Sequence, residues 1–219
     1  MNHLSLSASS ALALACLAGC ASESSRAVPV EQTPAAAAPY TGVRVAIAVG
    51  RFDNRSSFMR GVFSDGVDRL GSQAKTVLES HLQQSQRFSV LDRDNLTEAA
   101  AEAKLQGVNQ SITGAQFLVT GDITAFGRKE VGDQQLFGVL GRGKTQVAYA
   151  KVTLNVVNPL TSEIVYSASG AGEYELSNRE VVGFGGTAQY DATLNGKVLD
   201  LAIRQAVGAL VTARDAKTW

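Results

Sequence analysis

Cys20 closes the run Leu17-Ala18-Gly19-Cys20 at the foot of an alanine- and leucine-rich N-terminus. A short apolar stretch, small residues and then a thiol are what a lipobox requires: the thiol takes up diacylglycerol and the peptide bond before it is cut. Residues 1–19 therefore read as a lipoprotein signal peptide, although residues 1–16 carry no Lys or Arg and His3 is the one group there able to hold positive charge. An ordinary signal cut near Ala18 would leave a free thiol, and is the poorer reading because a tether-like stretch follows. Ala21 and Ser22 come next. An Asp directly after the thiol is the usual mark of inner-membrane retention, so its absence favours the outer membrane of a Gram-negative cell, with the folded part in the periplasm.

A second run has the spacing of a phosphate-binding loop, since Gly138 to Thr145 spells GxxxxGKT. That cradle works only where the loop follows a buried strand and opens a helix whose N-terminal amides face the phosphates. Here KEVGDQQ, no buried strand, comes before it and a predicted strand comes after it. A glycine-rich hairpin tip is expected, and no nucleotide. Acyl transfer needs a nucleophile, a base and an orienting group together. After Cys20 the chain has one histidine, His81, in a predicted helix beside Leu82, and a structural or surface role is expected for it. One His, no available Cys and scattered carboxylates make a poor metal site, and Glu79 and His81, two residues apart on a helix, do not face each other. A glycosidase-type carboxylate pair would be assembled from distant positions, and no residue marks one. Asp53, Asp65, Asp68, Asp92 and Asp94 sit near loops and predicted helix starts, where carboxylates cap helices or favour the dipole. No catalytic residue, cofactor or metal is expected.

The 219 residues carry 20 Lys and Arg against 20 Asp and Glu, so no bulk field draws the chain to nucleic acid. Removing residues 1–19 leaves about 200, enough for one buried core and too few for two ordinary domains. Cys16 lies in the signal and Cys20 is the lipid site, leaving no thiol for a disulfide although the compartment is oxidising. No run of about 18 apolar residues follows Cys20, so any spanning segment would be a β-strand.

The elements follow from composition and period. Residues 20–41, with Pro29, Pro34 and Pro39, read as a lipidated flexible linker to a domain at 42–219. VRVAIAVGRF predicts a strand buried on both faces. A polar loop bearing Phe58 and Phe63 comes next, with Ser64 as a helix cap, and Val67, Leu70, Ala74, Val77, Leu78 and Leu82 then mark one helix face. RFSVLDR (87–93) predicts a strand, Asn95 with Glu98 starts a short alanine-rich helix ending near Gly107, and residues 115–126 form another strand. Val152, Leu154 and Val156 alternate with Lys151, Thr153 and Asn155, giving a strand with one core face and one polar face. A turn at 158–162 leads into a returning strand, EIVYSASGAGEYEL. Leu199, Ile203, Ala206, Val207, Leu210 and Val211 line a closing helix, with Asp200 and Arg204 paired on its surface. The order β-α-β-α-β-β-β-α packs as an α/β fold, an αβα sandwich on a mixed sheet. Two glycine-rich stretches, at about 127–146 and 177–196, exceed ordinary loop length.

In this order, the lipobox, the linker, VRVAIAVGRFDN, FMRGVFS, RFSVLDR leading into a helix at Leu96, LVTGDITAF and AKVTLNVVNPLTSEIVYS resemble the curli secretion channel subunits, the CsgG/HfaB lipoproteins, over roughly residues 42–214. The resemblance implies a periplasmic α/β core, a homo-oligomeric ring, and two long hairpins per subunit forming a shared outer-membrane β-barrel, at the places of the two glycine-rich stretches. It also implies a channel constriction in the loop after the first strand, where the family pattern is Tyr-x-x-x-Asn-Phe-Ser. Here Phe58 replaces the Tyr, Val62 replaces the Asn, and Phe63-Ser64 are kept. Val62 removes an amide ring, so an identical export substrate is not implied. The expectation is a non-enzymatic secretion channel or anchor whose partners are further copies of itself, the outer membrane through its lipid, and a secreted polypeptide or polymer. Lys129 and Asp133 interrupt the alternation that a lipid-facing strand needs, which keeps an alternative on the same core: a periplasmic binding or scaffold lipoprotein serving exopolysaccharide export or peptidoglycan synthase activation.

Overall fold

Strand β1 (Val45–Asn54) lies inside the sheet because its residues tolerate no water: Ile47, Ala48 and Val49 are each no more than 4% exposed. The structure, a computed structural model, describes residues 40–58, 66–134, 142–179 and 193–219. After β1 come α1 (Arg69–Gln84), β2 (Phe88–Leu91), α2 (Leu96–Leu105), β3 (Phe117–Gln134), β4 (Arg142–Val157), β5 (Ile164–Arg179) and α3 (Thr193–Asp215), the expected order. The strands form one mixed sheet, β2-β1-β3-β4-β5. β2 and β3 flank β1 in parallel, and β3, β4 and β5 follow one another antiparallel.

One face of this sheet carries Val45, Ile47, Val119, Ile123, Val152, Leu154 and Val156 against α1 and α3, whose stripes of Leu70, Ala74, Leu78, Leu82 and Leu199, Ile203, Val207, Leu210 are all buried. Each such Leu, Ile or Val contributes about 1.5–3 kcal/mol by leaving water. α3 lies so close to β5 that a Cβ at Gly170 would stand 2.0 Å from the Ala202 carbonyl oxygen. On the other face, right-handed crossovers place α2 opposite α1, because β1-α1-β2 moves one way across the sheet and β2-α2-β3 moves back. α2 buries none of its residues there.

Several boundaries differ from those expected. α1 starts at Arg69 with Asp68 as its cap, the Gly71 amide donating to Asp68 Oδ1 at 2.7 Å; Ser64 lies outside the described residues, and Val67 is 62% exposed, off the stripe. Asn95 makes no capping bond because Asp92 takes it: Asp92 accepts from the Asn95 amide at 3.1 Å and from Asn95 Nδ2 at 2.7 Å. β2 is shorter than RFSVLDR, since Arg87 turns back to the Ser85 carbonyl at 3.0 Å and to Asp215 at 3.3 Å.

The first glycine-rich stretch is strand on both sides. β3 and β4 stay paired from Lys129↔Val147 to Gln134↔Arg142. β1 pairs with β3 as far as Asn54↔Ile123, and β3 continues through Gln134, about 35 Å further. β5 accompanies them to Gly143↔Arg179. The second stretch is thus divided: its first residues end β5, its last ones open α3 at Thr193, and residues 180–192 lie outside the described part. Lys144 and Thr145 of the GxxxxGKT run sit in β4 opposite Asn178 and Ser177, not at a helix start.

Candidate functional site

The loop read as a constriction hangs from a short polar stem at the end of β1. Asn54 and Ser56 are 6% and 5% exposed. Asn54 Oδ1 accepts from the Ser56 amide at 3.0 Å and from Ser56 Oγ at 2.6 Å, while Asn54 Nδ2 donates to the Phe58 carbonyl at 2.9 Å. Asp68 then ties this stem to α1, Oδ2 accepting from the Asn54 amide at 2.6 Å and Oδ1 from Gly71. A side chain at position 71 would block that bridge, since a Cβ would lie 2.3 Å from the Phe52 carbonyl and 2.5 Å from Asp68 Oδ2. Buried polar groups satisfied in this way hold a single geometry, because each lost partner would leave a desolvated group.

Phe58 is half-buried at the root of the projecting strands, its ring 4.7 Å from that of Phe126 with the planes at 55°. Val62 and Phe63, like Cys20, lie outside the described residues. Asn54 and Ser56 were missed in the sequence, although an Asn two residues before a Ser is an Asx/Ser turn signal; Asp68 was expected only near a helix start, and its bond to the Asn54 amide, 14 positions away, is not local.

Beside the stem, on the face away from α1 and α3, Asp53 and Asp122 are register partners on β1 and β3. Arg51 Nε stands 2.5 Å from Asp53, and Arg55 Nε 2.5 Å from Asp122. The bond and charge of Asp122 push the Arg55 guanidinium above its ordinary value. Exposed pairs of this kind are screened by solvent and contribute little, so they orient the strand ends more than they stabilise them.

His81 is buried, its Nε2 2.8 Å from Asp200 Oδ1 on α3. Asp200 therefore faces α1, where the sequence placed it on the outer surface with Arg204; a pair 119 positions apart leaves no trace in helical spacing. Among the described residues no group of three or more His, Cys, Asp or Glu stands together as metal ligands. No described helix is long and apolar enough to cross a membrane, which says nothing of crossing by strands. At the other end of the sheet Trp219 stacks on Phe88 and Tyr166 and meets Phe117 edge-on, at centroid distances of 6.0, 6.2 and 5.5 Å.

With this geometry in place, comparison adds relatives. Residues 30–219 match the family model described as Curli production assembly/transport component CsgG. The chain is 63% identical over 209 residues, 95% of its length and 94% of the relative's, to "Putative lipoprotein NMB1126/NMB1164" of Neisseria meningitidis serogroup B. Solved structures of similar fold include the PelC dodecamer from Paraburkholderia phytofirmans, 13% identical and covering 78% of this chain and 91% of that one at a TM-score of 0.37. The LpoB C-terminal domain from Salmonella enterica is 16% identical, with 60% and 85% covered and a TM-score of 0.32.

Proposed function

Because the chain belongs to the CsgG family of curli production assembly/transport components, matched over residues 30–219, we propose that it is an outer-membrane lipoprotein anchored at Cys20. Its α/β domain lies in the periplasm and assembles as a homo-oligomeric ring that passes or anchors a secreted polypeptide or surface polymer without turnover. The anchor is supported by the Leu17-Ala18-Gly19-Cys20 run and by the lipoprotein name of the 63% identical relative. The observation that carries the channel reading is the joint projection of β3, β4 and β5 beyond the sheet. β3 runs 11 residues past Ile123, its first part to Phe126 still packed in the core, which is comparable with the 9–11 residues a tilted membrane strand needs. The stem at Asn54, Ser56 and Phe58 stands at its root, so the loop bearing Phe58, Val62 and Phe63 would narrow a passage enclosed by those strands.

Arg128 and Lys129 on the same strand favour a second reading. Arg128 turns inward to Asn195 Oδ1 at 3.0 Å, but Lys129 is exposed, as suits a periplasmic binding or scaffold lipoprotein. The discriminating experiment inserts the purified lipidated protein into planar bilayers, beside a variant lacking residues 131–143. Stepwise conductance in the full chain and none in a variant that still unfolds cooperatively supports the channel. A silent full chain, or conductance unaffected by the deletion, rejects it. Cys20→Ala should move the protein from the membrane to the soluble periplasmic fraction; unchanged fractionation rejects the anchor.

A further inference from the structure

The molecule exposes large apolar side chains in two places at one end of its sheet. Of the seven large hydrophobic residues described as exposed, five fall there: Leu105, Val108 and Ile112 at the end of α2 and beyond it, Leu160 and Ile164 at the β4–β5 turn. α2 is the stranger of the two. Six of its ten residues are Ala or Leu, and none is buried. Leu96 and Ala103, seven residues apart, are the two residues of α2 that are partly buried, and so mark its inner side. Glu98, Ala101, Glu102 and Leu105, spaced i, i+3, i+4 and i+7, therefore form the outward stripe.

The face of β4 and β5 away from α1 and α3 has a matching vertical order. Near the turn it is apolar, with Val157 paired to Ile164 and Leu160 93% exposed. Its middle is a polar band already paired within the sheet, Ser167 Oγ donating to Asn155 Oδ1 at 2.6 Å and Thr153 Oγ1 3.2 Å from Ser169 Oγ. Above the band stand the exposed Lys151 and Ala171. α2 runs antiparallel to β1, as a crossover must, so its glutamates are level with the upper part of the strands and Leu105 with the apolar end.

We infer that α2 of one subunit seats on the open β4–β5 face of the next copy, Leu105, Val108 and Ile112 meeting Val157, Leu160 and Ile164 while Glu98 and Glu102 meet Lys151. A rotation about an axis parallel to the strands preserves the vertical order, so acid meets base and apolar meets apolar in every copy. The two surfaces are different patches on different parts of one subunit, which makes the contact head-to-tail, the kind that closes into rings. Pre-paired Ser, Thr and Asn groups leave few donors to be orphaned when the helix covers them. This inference rests on the ring reading above and specifies its contact.

The test uses thiol trapping in the full lipidated protein, whose one other mature thiol, Cys20, carries the lipid. Ala101→Cys with Ser169→Cys should give, on mild oxidation, a ladder of cross-linked species above the dimer on a non-reducing gel, while each single variant gives none. Lys151→Glu should weaken association about tenfold and Glu102→Lys in the same chain should recover it. Native mass spectrometry of the same samples separates the ways to fail. An oligomer without a ladder overturns this contact and leaves the ring standing; a monomer overturns both. A dimer from either single variant shows a two-fold contact and overturns the head-to-tail arrangement.

Discussion

The ring of Phe58 lies against that of Phe126, centroids 4.7 Å apart, so the loop leaving β1 is fastened to the strand that projects past the sheet. Phe58→Ala should cost about 1–3 kcal/mol, less than the 3–5 of a fully buried Phe because the ring is half exposed. A double-mutant cycle with Phe126→Ala should return a coupling of about 0.5–1.5 kcal/mol. Urea unfolding measures both. Single-channel recording separates plug from constriction: lower stability with unchanged conductance makes Phe58 a plug, and higher conductance places it at the narrow point.

Two glycines should respond with opposite sign. A Cβ at Gly170 would sit 2.0 Å from the Ala202 carbonyl oxygen, backbone against backbone, whereas one at Gly208, inside α3, meets nothing within 4 Å. Gly170→Ala should lose about 1–3 kcal/mol or more as α3 is pushed off β5. Gly208→Ala should gain up to about 1 kcal/mol of helix propensity. A fall in Tm for the first and a rise for the second is the expected result; equal effects would mean the helix does not sit against Gly170.

The His81–Asp200 pair ties α1 to α3. His81→Ala removes a buried ring and one partner of a hydrogen bond to a carboxylate, and should cost about 2–4 kcal/mol. Asp200→Asn keeps an acceptor oxygen and should cost less than half as much. Denaturant midpoints for the two variants test the order; a neutral His81→Ala would show that the helices pack without the pair.

Acid sensitivity has two contributions of opposite sign. Bonds from the Asn95 side chain and from the Asn95 and Asp94 amides hold Asp92 below the ordinary carboxylate value. Its contribution is present at neutral pH and is lost as pH falls through about 4 and below, because the unfolded chain takes up the proton first. Burial raises Glu79 above its ordinary value; its charged form is penalised at neutral pH, and that penalty is relieved on acidification. Asp92→Ala should therefore lose less stability than the parent between pH 6 and pH 3, and Glu79→Gln should be the more stable protein at pH 7. Urea midpoints at these three pH values decide; equal acid losses in Asp92→Ala and the parent would remove Asp92 from the account.

The residue sequence by itself determined the succession of elements and the buried stripes. Leu70, Ala74, Leu78 and Leu82, and Leu199 to Leu210, recur at helical spacing, and Val152, Leu154 and Val156 at strand spacing; each pattern is a property of neighbouring residues and survives without knowledge of the fold. Tertiary structure decided what depends on partners far along the chain. Asp68, besides its local cap, binds the Asn54 amide because the end of β1 lies beside it, and Asp200 meets His81 because α1 and α3 share one face of the sheet. Residues 127–134 and 142–146 of the first glycine-rich run are strand because β3, β4 and β5 supply one another's hydrogen bonds past the last pairing of β1. A backbone amide needs a partner wherever it is buried or extended, and local periodicity does not record which strand provides it.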